Sequence, residues 1–197
     1  MSDQQRHQAR QQRLKEKVDQ RIAGAQTERG TLLVFTGNGK GKSTAAFGTL
    51  CRAVGHGLKG AAAQFIKGGW ECGERDLLES QGVPFAVMAT GFTWDTQDRE
   101  ADTQAARAVW QQARAFLADA SLSLVVLDEL TYMLSYGYLD LDEVLAAIKG
   151  RPAQMSVIVT GRGAHRRLLE LADTVTEMKA VRHAFDAGIK ARRGLDW

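Results

Sequence analysis

The stretch Thr36-Gly37-Asn38-Gly39-Lys40-Gly41-Lys42-Ser43-Thr44 brings together glycines, lysines and hydroxyls in the order that a polyphosphate cradle requires. Glycines at 37, 39 and 41 permit a backbone path closed to bulkier residues, so that N–H groups turn inward toward an anion while a following helix adds its positive end. In that arrangement Lys42 reaches phosphate oxygens and the Ser43 hydroxyl takes a Mg²⁺ coordination position. The expected nucleotide-binding set is Gly37, Asn38, Gly39, Lys40, Gly41, Lys42, Ser43 and Thr44, with Lys42 also expected to act in catalysis. Thr36 stands where the usual pattern begins with glycine, and Gly37 lies beside it. A flexible basic linker would explain the composition, but not the apolar run Thr31–Phe35 before the loop or the small-residue helix pattern from Ala45 to Leu50 after it.

A second constellation, Leu124-Val125-Val126-Leu127-Asp128-Glu129, places two carboxylates at the end of a buried apolar run. Carboxylates there are costly unless a cation or hydrogen bonds compensate them, and a magnesium ion with its phosphates is such a cation. Ser43 and Glu129, with Asp128 either as a direct ligand or as a partner behind them, are the candidate metal set. A salt-bridged strand end is the plainer alternative. Arg162, in Thr160-Gly161-Arg162-Gly163, follows another apolar run and is a candidate for phosphate oxygens, whereas Arg166 and Arg167 suit the capping and solvation of the next helix. Phe92 and Trp94 stand two apart in Thr90-Gly91-Phe92-Thr93-Trp94-Asp95 and would share one side of an extended loop, as an aromatic platform or, on residue type alone, as ordinary core. Trp70 is a further aromatic candidate. His183, in His183-Ala184-Phe185-Asp186-Ala187-Gly188, has no metal-ligand spacing and reads as a packed or hydrogen-bonding side chain.

These residues need a scaffold that brings strand ends together. Apolar runs at 31–36, 60–66, 84–89, 123–128, 155–160 and 174–178 alternate with helical patterns at 43–55, 73–81, 98–120, 140–149 and 164–172. The alternation predicts an α/β fold with a mainly parallel sheet, whose ligand crevice lies beyond the C-terminal ends of the strands. Residues 1–28 differ: Leu14, Val18 and Ile22 form a thin apolar stripe at helical spacing in a Gln- and Arg-rich background. A solvated tail and a lid over the site or a neighbouring subunit both fit. The expected division is an N-terminal helix over 1–28 and a nucleotide-binding domain over 29–197.

Composition narrows the class. With 197 residues, 44% of them hydrophobic, the chain suits a single domain with a buried core. Twenty-six basic against 23 acidic residues, a net charge of +3, do not by themselves imply nucleic acid. Cys51 and Cys72 suggest neither a disulfide framework nor a zinc site. No apolar stretch reaches membrane-spanning length, so neither export nor insertion is expected and a reducing cytoplasm is the default.

Taken together, the phosphate loop, Gln64-Phe65-Ile66-Lys67-Gly68, Met88-Ala89-Thr90-Gly91-Phe92-Thr93-Trp94, Leu127-Asp128-Glu129-Leu130 and Val159-Thr160-Gly161-Arg162-Gly163 resemble the corrinoid adenosyltransferases of the CobA, BtuR and CobO type. The resemblance extends over almost the whole chain, including the N-terminal helix and the His183–Gly188 tail. Thr36 belongs to that family's pattern, and Ser43 stands where many relatives carry Thr, which keeps the hydroxyl.

The resemblance implies a P-loop, RecA-like three-layer sandwich with a central sheet of about six strands. It implies ATP as adenosyl donor, a corrinoid as acceptor, and Mg²⁺, with Mn²⁺ as a substitute. The reaction so implied is attack of Co(I) on the ribose C5′ with release of triphosphate, in adenosylcobalamin biosynthesis or salvage. It makes Phe92 and Trp94 catalytic, because the matching family pair helps displace the lower corrinoid ligand. It further implies a flavodoxin-type reductant, a homodimer and an N-terminal helix that closes over the substrates. The competing class is a P-loop ATP hydrolase or phosphotransferase acting at the γ-phosphate. A nucleic-acid motor is disfavoured by the small basic excess.

Overall fold

The computed structural model describes residues 2–66, 71–88 and 98–196. Six strands form one parallel sheet: β1 (Leu32–Thr36), β2 (Gly60–Gln64), β3 (Phe85–Val87), β4 (Leu124–Asp128), β5 (Ser156–Thr160) and β6 (Thr174–Glu177), in the spatial order β3-β2-β4-β5-β1-β6. Every pairing is parallel, so all six strand ends that precede a loop or helix face the same edge. The helices are α1 (Asp3–Gly24), α2 (Lys42–Gly55), α3 (Gly73–Ser80), α4 (Arg99–Ala118), α5 (Leu130–Ser135), α6 (Leu141–Lys149) and α7 (Arg166–Leu171), followed by a 3₁₀ turn at Phe185–Ala187.

The period of two along each strand divides the core into two layers. Ala61, Ala63, Val125, Leu127, Val157 and Val159 face α4, α5 and α6, where Ala106, Trp110, Leu130, Val144 and Ile148 meet them. Ala62, Leu124, Val126 and Ile158 face the opposite way, toward Ala46, Phe47 and Leu50 of α2 and Leu78 of α3. The alanine run of β2 is fully buried on both sides, and its small side chains let a helix approach each face. The indole N–H of Trp110 reaches the rim of its layer and donates to Glu143 Oε1 at 2.9 Å.

The N-terminal helix stands apart from this core. Ser2 and Gln5 form a capping box at its start, and none of its residues is buried. Leu14, Val18 and Ile22 remain 56%, 45% and 66% exposed. Among the described residues no helix is long and apolar enough to cross a membrane.

Candidate active site

The phosphate loop leaves β1 at Thr36 and enters α2 at Lys42. Gly37 and Gly41 adopt φ of 96° and 112°, a region that side chains disfavour, and a Cβ on Gly39 would come within 2.8 Å of the Met178 backbone. The loop is therefore pressed against the chain leaving β6, and the Gly39 N–H is used there, donating to the Met178 carbonyl at 2.7 Å. The Lys42 ammonium is buried and donates to the Gly39 carbonyl at 2.8 Å.

The start of α2 differs from the other long helices. Side chains of Ser2, Asp98 and Asp140 cap α1, α4 and α6, and acidic residues occupy their first turns. Gly41 gives α2 no side-chain cap, and its first turn carries no acidic residue. Its positive end is thus left for an anion.

Across the loop lies a cavity of about 340 Å³ lined by Asn38 through Thr44, Phe47, Gln64, Glu71, Cys72, Glu74, Glu129, Arg162, His183, Ala191 and Asp196. The cavity brings together the whole candidate nucleotide set apart from Gly37, and adds Arg162 from the loop after β5. The two carboxylates ending β4 have different positions. Glu129 lines the cavity, whereas Asp128 is fully buried behind it, where Thr160 Oγ1 donates to Oδ1 at 2.7 Å and Gln64 Nε2 approaches Oδ2 at 3.4 Å. The chain reverses direction sharply between them, because Glu129 has φ 59° and ψ 22°, the one positive φ at a non-glycine among the described residues. Its N–H donates to the same Thr160 hydroxyl at 2.9 Å.

The loop after β5 is fixed in the same region, with Thr131 Oγ1 donating to the Arg162 carbonyl at 2.7 Å. Arg166 and Arg167 pair with Glu170 and Asp142 at the surface, away from the cavity lining. His183 accepts the Phe185 N–H on Nδ1 at 3.2 Å and also faces the cavity.

Sequence reasoning missed several other residues that line the cavity. Glu71 and Cys72 immediately precede α3 and Glu74 lies in its first turn, and burial raises the Cys72 thiol above its usual range. Asp196 arrives from the C-terminal segment and pairs with Lys40 at 2.7 Å, a hydrogen bond that holds its carboxyl below the usual carboxylate range. Arg193 of that segment meets Glu71 at 3.3 Å. No periodic pattern marked this tail, and the acidic residues following the second apolar run were the only available signal for Glu71 and Glu74. Lys67, Phe92, Trp94 and Trp70 lie outside the described residues.

A parallel α/β sheet with a glycine-lined phosphate loop after its first strand, and a strand-end carboxylate, Glu129, on the same crevice, defines a P-loop nucleotide-binding protein. The flagellar accessory protein FlaH of Methanocaldococcus jannaschii shares the fold, with a TM-score of 0.52 and 15% identity over 82% of this chain and 76% of that one. The chain belongs to the family described as ATP:corrinoid adenosyltransferase BtuR/CobO/CobP, whose model matches residues 28–197. A second family model, cob(I)alamin adenosyltransferase N terminal, matches residues 1–22. Similar proteins include the corrinoid adenosyltransferase of Escherichia coli strain K12, 66% identical over the full length of both chains, and corrinoid adenosyltransferase CobA of Salmonella typhimurium, 62% identical over the same span. The corrinoid adenosyltransferase of Pseudomonas aeruginosa is 53% identical over 98% of this chain and 96% of that one.

Proposed function

We propose that this protein transfers the 5′-deoxyadenosyl group of ATP to the Co(I) centre of a corrinoid, in the synthesis or salvage of adenosylcobalamin. The observation that carries this reading is the uncapped start of α2 facing Glu129 across one cavity, in a chain of this family. The cobalt electron pair forms the Co–C5′ bond, the C5′–O bond breaks, and its electron pair leaves with inorganic triphosphate. Negative charge then develops on the triphosphate, where Lys42 and the first-turn amides of α2 are placed to hold it. Lys42 would exchange the Gly39 carbonyl for a phosphate oxygen. Arg162 would add a second cation from the loop after β5, and Asn38, Lys40 and Thr44 would complete the phosphate loop's contacts.

The Ser43 hydroxyl and Glu129 carboxylate are hard oxygen donors on one cavity, which suits magnesium or manganese. Among the described residues no group of three or more His, Cys, Asp or Glu could hold a metal. A small donor set of this kind matches an ion that keeps water and phosphate oxygens as its remaining ligands. When bound, the ion would supply Lewis-acid stabilisation of the leaving group. Asp128 would act from behind, through hydrogen bonds rather than as a direct ligand.

The protein supplies no nucleophile in this scheme, so its task is positioning. Phe92 and Trp94 would displace the lower corrinoid ligand and ease reduction of Co(II) by a flavodoxin-type donor. Residues 1–28 would form a lid on the 29–197 domain of a homodimer, a role that suits a helix with no buried residue. The two free cysteines suit a reducing cytoplasm.

Anaerobic incubation with Mg-ATP and prereduced cobalamin tests the reading directly. Triphosphate and adenosylated corrinoid are expected in equal amounts. ADP and phosphate, with no adenosyl group on cobalt, would place the chain among γ-phosphate enzymes instead.

A further inference from the structure

We propose that Thr160 is a positioning residue for the metal-nucleotide complex, fixing Glu129 through a buried relay anchored on Asp128. This rests on the reading of Glu129 as a metal-side carboxylate. Thr160 ends β5, the strand lying between the phosphate-loop strand β1 and the carboxylate strand β4. It is fully buried, and its one hydroxyl serves both carboxylate residues, donating to Asp128 Oδ1 at 2.7 Å and accepting the Glu129 N–H at 2.9 Å. A serine or threonine hydroxyl carries one donor and accepts through lone pairs, so both contacts are satisfied together.

The second contact falls on the residue whose backbone needs support. Left-handed φ at a residue with a side chain is disfavoured and persists where surrounding groups over-determine it. Here the turn separates the directions of two adjacent carboxylates, sending Asp128 into the core and Glu129 to the cavity. Gly161 seals the arrangement from the next position, because a Cβ there would lie 2.0 Å from Thr131 Oγ1 and 3.2 Å from Glu129 Oε2. Gln64 closes the far side of Asp128, and its own Oε1 is buried with no hydrogen-bond partner among the described residues. Without the Thr160 hydroxyl, the Glu129 peptide loses its tether and the carboxylate its fixed aim, while the phosphate loop is untouched.

The test is calorimetric titration with ATP, in EDTA and in saturating magnesium chloride, on wild type, Thr160→Val, Thr160→Ser and Glu129→Gln. Loss of outer support typically lowers metal affinity about 10- to 100-fold, so Thr160→Val should forfeit at least about tenfold of the magnesium-linked gain in ATP affinity. Its affinity in EDTA should equal that of wild type, and Thr160→Ser should restore the gain. A packing role alone would weaken binding equally in both media, and that result overturns the proposal. If Glu129→Gln abolishes the gain and a folded Thr160→Val keeps it, the relay fails while the metal reading stands. If wild type shows no magnesium-linked gain, the metal reading fails first and the relay with it. Hydrogen exchange on wild type gives a second measurement independent of variant folding. The Glu129 amide should be protected before nucleotide is added, and exchange at an open-loop rate overturns the proposal.

Discussion

Gly161 shows how far a single residue can constrain the site. Its φ of 135° is closed to side chains, and the space its Cβ would need is taken by Thr131. Thr131 is itself committed, holding the Arg162 carbonyl, so the collision has no flexible end to absorb it. Gly161→Ala is therefore expected to destabilise the fold by about 1–3 kcal/mol. Urea denaturation would show this as a lower midpoint, and an unchanged midpoint would refute the close approach. At this scale the sequence was most legible where spacing encodes chemistry. Gly39, Lys42, Ser43 and Glu129 meet in one cavity as the glycine loop and the two-carboxylate motif predicted. It was less legible at Asp128, since two adjacent acids carry no sign of which turns inward. That division depends on a left-handed residue and on a hydroxyl 32 positions away.

The elements were readable because each has its own period. All six predicted strands are present, with bounds within about two residues of the apolar runs, as boundary uncertainty allows. The helix α5 was missed. Its six residues, Leu130–Ser135, are too few to show a helical period, and they follow directly on the carboxylates that end the β4 apolar run. The N-terminal helix was predicted from Leu14, Val18 and Ile22, yet those side chains stay exposed rather than seated on the body. Its local stability comes from its own capping box and from Lys15–Asp19, an exposed pair of modest worth. Removing residues 1–24 should leave the melting temperature of the remaining domain within a few degrees of the full chain, about the shift that 1 kcal/mol produces. Corrinoid adenosylation should fall much further if this helix is the lid. Differential scanning calorimetry beside the adenosylation assay separates the two effects. Full activity in the truncated protein would remove the lid from the proposed function.

At the scale of the whole molecule, the strand order is what the sequence withheld. Local pattern predicts strands and their mainly parallel sense, but it contains no information that β5 intervenes between β1 and β4 or that β6 lies on the far side of β1. Those placements are set by long-range contacts, and the edge opposite the active site shows one of them. Arg29 Nη1 and Nη2 bind both Asp173 carboxylate oxygens at 2.9 and 2.5 Å, while Asp173 Oδ2 also accepts the Leu32 N–H at 2.8 Å. The pair fastens the beginning of β1 to the beginning of β6, immediately after the segment assigned to the lid. The Arg29 hydrogen bonds, then the Leu32 amide, hold the Asp173 carboxyl well below the usual carboxylate range. A carboxylate with a depressed folded pKa stabilises the protein above its unfolded pKa of about 3.9, and the contribution disappears as pH falls through the folded value. Asp173→Asn should thus be less stable than wild type by a constant margin near neutrality, and the margin should shrink as pH drops below about 4. Urea midpoints of both proteins across that range provide the measurement. A gap that persists unchanged into strong acid would mean that the charge of Asp173 contributes nothing to joining the two strands.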